Sequence, residues 1–358
     1  MSKGMKGKNQ KILLFPTHYL GNFILGLPWL ISAIDEDPTT IVVLDSRFKP
    51  FIQLALNNYT EILEYPRNEL KNKKISTLKK LNIYLNFLSK LRRIKSEDLF
   101  DLEGERFTGV LSRLSGAKNR FGPIGKNSAS FYTNPLALNF HNHRFNAFGQ
   151  TLSDKFTIKN PTHIVNYQIR PTAKNNVTNF LAINRIKSSF VVIHPGASAD
   201  YKKWPVEKFS KLYKMLKAIN VDVVWIGMEE DQKIVKKISK ILNNENLNQF
   251  TETKYPELIA LLKKADVFIG GDSGPMHLAA SVGIGVIALF GPSIESIWAP
   301  LGLQSRVIRG SKRCGKNCDA HNCEFNHHCL TSLNPESVLS AVTAIRISKI
   351  IKTPSNST

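Results

Sequence analysis

Short runs of β-branched and apolar residues alternate with longer helical patterns along most of this chain of 358 residues. These runs cover residues 11–15, 40–45 and 98–103 in the first half, and residues 190–196, 222–227, 266–273 and 286–291 in the second. Strands that alternate with helices indicate parallel sheets built from right-handed β-α-β units. The sequence therefore predicts an α/β protein whose ligands bind at the carboxyl ends of the strands.

A polar and less periodic stretch over residues 134–189 separates the two sets of predicted strands. The chain is longer than one ordinary hydrophobic core supports, so we expect two domains. We place the first at residues 1–170 and the second at residues 171–335. A closing amphipathic helix is predicted at residues 336–351, followed by a frayed tail at residues 352–358.

The net charge favours an anionic partner. There are 49 Lys and Arg residues against 28 Asp and Glu, a formal charge of +21. Nucleic acid, an anionic membrane surface and phosphorylated small molecules all fit such an excess. Nucleic acid is the least favoured, because the basic residues lack interleaved aromatic residues and no nucleic-acid-binding module is visible.

The segment from Lys71 to Lys95 contains nine basic residues and no acid. Apolar residues recur in it at steps of three and four, from Ile75 to Leu91. This pattern predicts a basic amphipathic helix whose apolar stripe either packs inward or lies on lipid headgroups.

Nothing in the sequence predicts a membrane span or a secretion signal. No run of about 18 apolar residues occurs. The apolar segment after the basic N-terminus is interrupted by His18, Asn22 and Pro28, which argues against a signal peptide. We therefore expect a cytoplasmic protein, and the charge adds the expectation of peripheral binding to an anionic membrane surface.

The strongest ligand-binding motif is GGDSGPMHLAA at residues 270–280, where an apolar strand runs into glycines and then a helix. Glycines let a ligand approach the backbone, and unpaired N–H groups at the start of a helix attract anions. Ser273 could cap the helix or bind a phosphate oxygen. Asp272 suits a sugar hydroxyl better than a phosphate, and His277 lies one turn further along.

Two further turns follow strands of the second half. The segment HPGASADYKKWP at residues 194–205 offers Ser198, with Lys202 or Lys203 to neutralise a phosphate. The turn at residues 227–231 carries Glu229 and Asp231, which either accept from sugar hydroxyls or favour the start of a helix electrostatically.

These segments resemble the ADP-heptose:lipopolysaccharide heptosyltransferase family, glycosyltransferase family 9. ILLFPTHYLGNFILGLPWL at residues 12–30, DLEGERFTGVLSRLSGAKNRFG at residues 101–122 and the two motifs above, at residues 194–205 and 270–293, fall in the family's order. The resemblance covers nearly the whole chain. It implies the GT-B fold, in which two Rossmann-like domains face each other across a cleft.

The resemblance also implies an inverting transfer of heptose from ADP-heptose to the inner core of lipopolysaccharide, an anionic lipid-linked saccharide. With that acceptor, the expected location is peripheral, at the inner face of the inner membrane. The C-terminal domain would bind the nucleotide sugar and the N-terminal domain the acceptor. The predicted donor contacts are Ser198, Lys202, Glu229, Asp231, Asp272, Ser273, Gly274 and His277. Among these, Lys202 and Ser198 would contact the diphosphate and Asp272 the heptose.

Position 22 departs from the family pattern. The family carries Gly-Asp after the first strand, and that Asp is thought to be the general base; this chain has Gly21-Asn22. An amide cannot accept the proton at neutral pH. Three readings follow: His18 supplies the base, leaving-group stabilisation by Lys202 carries a slower reaction, or the protein binds without catalysis or uses another acceptor such as a protein.

The metal chemistry expected here is structural rather than catalytic. The single Asp-x-Asp sequence, Asp35-Glu36-Asp37, precedes the predicted strand at residues 40–45 and does not follow a strand as a metal-binding motif would, so we expect transfer without a metal ion. All four cysteines, Cys314, Cys318, Cys323 and Cys329, lie within sixteen residues. Four thiolates suit tetrahedral zinc or iron, although the spacing is not a standard CxxC pair. Some relatives with Cys-rich segments at this place carry iron. Free thiols or one local disulfide are the alternatives.

Overall fold

The computed structural model describes residues 10–56, 61–125, 129–138, 142–153, 155–158, 161–187, 189–251, 254–311, 314–315 and 318–352. The chain divides into two compact units, Met1–Thr162 (unit 1) and His163–Thr358 (unit 2). The division falls inside the polar stretch that separates the two sets of predicted strands. The assignment of donor and acceptor to the two units stays a prediction.

Unit 1 is an α/β unit built on a parallel sheet with the order β3-β2-β1-β4-β5-β6 among its described residues. Its strands are β1 (Ile12–Phe15), β2 (Ile41–Asp45), β3 (Ile62–Tyr65), β4 (Asp98–Asp101), β5 (Asn119–Pro123) and β6 (Asn134–Leu136). Its helices are α1 (Leu20–Glu36), α2 (Lys49–Ala55), α3 (Arg67–Lys71), α4 (Thr77–Arg93), α5 (Arg106–Ser115) and α6 (Arg144–Leu152).

Unit 2 repeats this architecture, with the parallel order β12-β11-β10-β7-β8-β9 among its described residues. Its strands are β7 (Phe190–His194), β8 (Asp222–Ile226), β9 (Gln249–Phe250), β10 (Val267–Gly271), β11 (Gly285–Leu289) and β12 (Ser305–Ile308). Its helices are α7 (Pro171–Ile183), α8 (Val206–Ala218), α9 (Glu229–Ile241), α10 (Tyr255–Lys264), α11 (Gly274–Ser281), α12 (Glu295–Trp298), α13 (His328–Thr331) and α14 (Pro335–Lys352).

The central strands are buried on both faces, which is why they are continuous apolar runs rather than alternating ones. Every residue of β1, β2, β7, β10 and β11 is buried. The α/β fold class with two parallel sheets is confirmed.

In each unit the strand order reverses beside the first strand of that unit. Unit 1 has this switch point between β1 and β4, which pair with Leu14 opposite Asp101. Unit 2 has it between β7 and β10, which pair with His194 opposite Gly270. Loops leave the two strands of a switch point in opposite directions, and the crevice that opens there is where such sheets bind ligands.

Helix α4 is the predicted basic helix, and its apolar residues divide between two environments. Phe87 and Leu91 are buried, and the Phe87 ring lies 5.3 Å from that of Tyr65. Leu78, Leu81 and Leu85 are exposed by 77%, 51% and 52%. One part of the stripe therefore packs inward, while three leucines on an adjoining face remain exposed. No helix in the described part of the chain is long and apolar enough to cross a bilayer.

The last helix, α14, is held on unit 2 by apolar packing and by the Asp266 carboxylate. Lys349 Nζ lies 2.8 Å and Arg346 Nε 3.4 Å from Asp266 oxygens, and Ser189 Oγ donates to Asp266 at 2.6 Å. Burial alone would raise the pKa of Asp266, but these hydrogen bonds and charges together lower it.

We expect Asp266→Asn to destabilise the protein by about 1–3 kcal/mol at pH 7, because a half-buried acceptor of charged hydrogen bonds is weakened. A depressed pKa stabilises the fold above the unfolded-state value of about 3.9 and loses its effect as the pH falls through the folded value. The difference between variant and wild type should therefore shrink below about pH 4.

Urea denaturation at several pH values from about 3 to about 7 would measure this difference, because that range includes the pH at which carboxylates titrate. Asp35→Asn is the matched control, because Asp35 is exposed on α1. If Asp266→Asn lowers the free energy of unfolding equally at every pH, the ion pairs of Asp266 with α14 do not stabilise the fold.

Candidate functional sites at the two switch points

The switch point of unit 2 joins His194, the last residue of β7, to residues of two other loops. Ser273 Oγ, after β10, lies 3.4 Å from His194 Nδ1. Asp231 Oδ2, in the first turn of α9, lies 3.4 Å from His194 Nε2. Both ring nitrogens of this buried histidine are therefore occupied, and the imidazole holds the β8 and β10 loops together.

A second set of polar contacts is centred on Asp272. Lys202 Nζ donates to Asp272 Oδ2 at 2.7 Å, and Ser293 Oγ donates to the same oxygen at 2.6 Å. A side chain at Gly271 would place its Cβ 3.1 Å from the Lys202 carbonyl oxygen, tighter than an ordinary van der Waals contact. The glycine thus favours the close approach of the loop after β7 to the end of β10, and Ser293 adds the loop after β11.

The first turn of α9 carries three carboxylates, of which one is hydrogen-bonded within the site and two are exposed. Asp231 accepts from the Met228 N–H at 2.9 Å and faces His194, whereas Glu229 and Glu230 are exposed. Burial would raise the pKa of Asp231, but the His194 hydrogen bond and charge and the Met228 N–H outweigh it and lower the pKa. Of the two carboxylates predicted to contact the donor, Asp231 therefore lies in the site and Glu229 lies on the surface.

The start of α11 offers backbone N–H groups to a ligand. Ser273 occupies the capping position but makes no side-chain capping hydrogen bond, so it turns to His194 instead. Gly274 begins the helix, and His277 is buried one turn later. Ser198 is exposed in the loop after β7. The structure therefore brings Lys202, Asp231, Asp272 and Ser273 together and leaves Glu229 and Ser198 on the surface.

The switch point of unit 1 has a basic rim organised by a buried carboxylate. Asp45, at the end of β2, is fully buried and lies 2.9 Å from Arg47 Nη2 and 3.0 Å from Arg67 Nε. Arg67 also donates to the Pro16 carbonyl oxygen. Burial opposes ionisation of Asp45, but the two arginines and the Arg47 N–H lower its pKa. Asp45 therefore fixes two cations beside the loop that follows β1.

A second buried carboxylate shapes the loop after β4. Asp101 accepts from Tyr132 Oη at 2.7 Å and from the N–H groups of Glu103 and Gly104 at 2.9 and 3.2 Å. Burial raises the pKa of Asp101, and these donors oppose the rise. Arg144 donates to the Glu103 carbonyl oxygen at 3.4 Å. The backbone around Glu103 is consequently fixed from two sides.

Asn22 occupies the position of the family's base, and His18 is the substitute base predicted from the sequence; both lie near this switch point. Asn22 is half-buried in the first turn of α1. His18 stands in the loop between β1 and α1, and its ring centroid lies 3.7 Å from that of Tyr19. Burial lowers the pKa of His18, and the positive charges of Arg67, Lys71 and Arg47 lower it further. A protonated His18 is therefore disfavoured.

The cysteine segment does not support the predicted structural metal. No group of three or more His, Cys, Asp or Glu residues in the described part of the chain is arranged to hold a metal ion. Cys314, Cys318, Cys323 and Cys329 are free thiols, and Cys323 Sγ accepts from the His327 N–H at 3.4 Å. Burial raises the pKa of Cys329, and the neighbouring thiols add to the rise.

Several residues at the two switch points were not predicted from the sequence. They are Thr17, Asp45, Arg67, Asp101, Glu103, Arg144, His194 and Ser293. His194 and Asp101 end buried strands, and that position could have marked them as candidates. Arg67 and Arg144 carry no such signal, because only the folded chain brings their helices to the sheet edge.

The chain matches the model of glycosyltransferase family 9 (heptosyltransferase) over residues 85–328. This match covers more than half of the chain and includes every residue of the unit 2 site. The chain belongs to this family.

Curated relatives agree with the family match. The chain is 30% identical to lipopolysaccharide heptosyltransferase 2 of Escherichia coli K12 over 156 residues, which cover 42% of this chain and 45% of that protein. It thus spans about half the length of the first curated relatives it matches. It is 24% identical to lipopolysaccharide heptosyltransferase 1 of Campylobacter coli over 341 residues, 87% of this chain and 96% of that protein.

A solved structure shows the same fold. The structure of the Escherichia coli ADP-heptose lipopolysaccharide heptosyltransferase II superimposes with a TM-score of 0.74 at 18% identity, covering 95% of this chain and 99% of that one. The GT-B fold class predicted from the sequence is confirmed.

Gly196 tests the packing of the unit 2 site. A Cβ at this position would overlap the Asp231 carboxylate. We expect Gly196→Ala to cost about 1–3 kcal/mol of unfolding free energy, because the carboxylate is held by His194 and the Met228 N–H and cannot move freely. Removing the carboxylate with Asp231→Ala should reduce this cost by more than half.

Urea denaturation of the wild type, both single variants and the double variant gives the coupling energy directly. If Gly196→Ala is equally costly with and without Asp231, the close approach of these two residues is wrong.

Proposed function

We propose that this protein is an inverting glycosyltransferase that transfers a heptose from ADP-heptose to the inner core of a lipopolysaccharide. The observation that carries the proposal is the cluster of Lys202, Asp272, Ser273 and His194 at the switch point of unit 2, inside the region that matches the family. Similarity to proteins named as ADP-heptose and lipopolysaccharide heptosyltransferases supports the choice of donor and acceptor.

Unit 2 binds the donor. The Lys202 ammonium and the N–H groups at the start of α11 meet the diphosphate, which is the ligand that a cation and a helix N-terminus favour. The Asp272 carboxylate lies 2.7 Å from Lys202 Nζ. When the diphosphate takes Lys202 as its partner, the Asp272 carboxylate becomes available to a heptose hydroxyl.

Transfer proceeds without a metal ion. The bond to the diphosphate breaks with its electron pair, so negative charge develops on the departing ADP. Lys202 and the α11 N-terminus stabilise that charge, as a divalent cation does in other glycosyltransferases. Asp231 and His194 take no part in this step; they hold the loops in place.

Unit 1 binds the acceptor. Arg47 and Arg67 lie side by side on Asp45, and Lys71 is close enough to lower the pKa of His18. Such a group of cations suits phosphate or carboxylate groups on a saccharide. The acceptor is accordingly an anionic, lipid-linked saccharide.

Binding without catalysis, or transfer to a protein, is the alternative that Asn22 raises. Purified protein with ADP-heptose and a heptose-deficient lipopolysaccharide should give a product heavier by one heptose, detected by mass spectrometry. Anomeric analysis of that product tests inversion. ADP binding without any such product would establish the alternative.

The role of Lys202 is tested by ADP binding in excess EDTA. We expect Lys202→Met to weaken ADP binding by a factor of about 10–100, because a charge-assisted contact to the diphosphate is lost. Isothermal titration calorimetry measures the affinity.

Lys217→Met is the matched control. Lys217 pairs at 3.2 Å with Asp222, which begins β8 at the opposite edge of the sheet, and its loss should leave the affinity unchanged. An absolute requirement of the wild type for Mg²⁺, or equal losses for both lysines, would contradict the proposed role.

Helix α4 binds the protein to an anionic lipid surface. Its exposed Leu78, Leu81 and Leu85 lie among basic residues, and the segment from Lys71 to Lys95 holds no acid. Apolar side chains that enter the headgroup layer, together with lysines that face anionic lipids, give peripheral binding without a membrane span. The acceptor saccharide is anchored in such a surface.

We expect the double variant Leu81→Gln/Leu85→Gln to bind phosphatidylglycerol vesicles about tenfold or more weakly, since each leucine contributes about 1.5–3 kcal/mol when fully buried. Vesicle co-sedimentation measures this, with phosphatidylcholine vesicles as the neutral comparison. Leu303→Gln is the control, because Leu303 is 93% exposed but lies in unit 2.

Unchanged binding of the double variant, or equal binding to neutral vesicles, would contradict the role of α4. Tighter binding to arbitrary duplex DNA than to the anionic vesicles would point to nucleic acid instead.

A further inference from the structure

Glu103 lies where a ligand of unit 1 would bind. It follows β4 by two residues, and Thr17 follows the neighbouring strand β1 by two residues. The two strands flank the switch point and pair in parallel, with Leu14 opposite Asp101. Thr17 hydrogen-bonds the Glu103 side chain across this edge. Asn22 lies just beyond, in the first turn of α1.

The structure holds the Glu103 backbone in place at the edge of the sheet. The Glu103 N–H donates to Asp101 at 2.9 Å, and Arg144 donates to the Glu103 carbonyl oxygen at 3.4 Å. Gly104 then turns the chain with a φ of +70°, a conformation that favours glycine. The residue as a whole is partly buried, and it stands at the edge where such sheets bind ligands.

We propose that Glu103 is the general base of the transfer reaction, in the role that an Asp at the position of Asn22 would fill. This inference rests on the proposed function. The acceptor hydroxyl oxygen forms a bond to C1 of the heptose, and its proton passes to a Glu103 carboxylate oxygen. The bond from C1 to the β-phosphate oxygen breaks, and its electron pair leaves with ADP.

The electrostatics of the site match this role. Burial raises the pKa of Glu103 to about 7, and the charges of Asp101 and Glu105 add to the rise. The Thr17 hydrogen bond and the Arg67 charge oppose it. A base is most effective when its pKa lies near the working pH.

His18 is a poorer candidate for the general base because of the charges that surround it. Accepting a proton would make it a cation beside Arg67, Lys71 and Arg47, which already lower its pKa. Glu103 becomes neutral when it accepts a proton, and its acidic neighbours favour that change.

Glu103→Gln tests the inference. The amide keeps the size of the side chain and can still accept from Thr17, but it cannot take a proton. We expect kcat for heptose transfer to fall by a factor of about 10²–10⁴ with little change in KM. In the wild type, kcat should fall as the pH drops through about 7, and the variant should lack that dependence.

Two comparisons separate chemistry from folding. Glu97→Gln is the matched control, because Glu97 precedes β4 at the opposite edge of the sheet, where it pairs with exposed Lys118. It should keep wild-type kcat. Glu103→Gln should also keep the wild-type affinity for ADP.

Asn22→Asp in the Glu103→Gln background should restore part of the lost kcat, since it returns a carboxylate to the same edge. Its acid limb should lie at lower pH, because a helix N-terminus favours the ionised form. His18→Ala should slow transfer far less than Glu103→Gln.

The outcomes distinguish the role of Glu103 from the proposed function of the protein. Wild-type transfer that persists in Glu103→Gln, or a wild-type pH profile that the variant retains, overturns the assignment of Glu103 alone. Absence of transfer by the wild type from any nucleotide sugar overturns the proposed function and the base together.

Discussion

The parallel pairing of the two innermost strands in each sheet is the constraint on which the rest of the structure depends. β1 pairs with β4 and β7 with β10, and all four are buried, so their carboxyl ends must emerge side by side. Because the strand order reverses at these pairs, the loops diverge and leave a crevice. The polar groups of both candidate sites stand at these carboxyl ends, where the loops of neighbouring strands diverge.

Buried carboxylates organise these edges, and more exposed ones are left for chemistry. Asp45 and Asp101 are fully buried, and their oxygens accept hydrogen bonds from arginines, a tyrosine and backbone N–H groups. Glu103 and Asp272 lie one or two residues beyond a strand and keep access to solvent. The same residue type thus acts as a scaffold inside the sheet and as a candidate for substrate contact outside it, because burial decides how much hydrogen bonding a carboxylate must find within the protein.

Long, strongly apolar strands were predictable from the sequence, and short edge strands were not. The seven predicted runs correspond to β1, β2, β4, β7, β8, β10 and β11. The strands β3, β5, β6, β9 and β12 were missed. Four of them, all except β5, are edge strands, which cover fewer apolar neighbours and carry a weaker pattern. β5 lies inside its sheet, but its sequence, NRFGP, is not an apolar run. β6 even contains Pro135, which an edge position tolerates. The helices α6 and α7 were also missed, because the stretch over residues 134–189 that contains them is polar and less periodic.

The sequence by itself determined the fold class, the family and the glycine-rich loops of unit 2, because local propensity and strand-to-helix turns are properties of neighbouring residues. Only the tertiary structure decided which acids and bases meet. It joined Lys202 to Asp272 across 70 positions of chain, and it chose Asp231 over Glu229 for His194. It also set Glu103 against Thr17, where burial gives the carboxyl a pKa near neutrality. Contacts between distant residues and the loss of water around them are absent from a one-dimensional pattern.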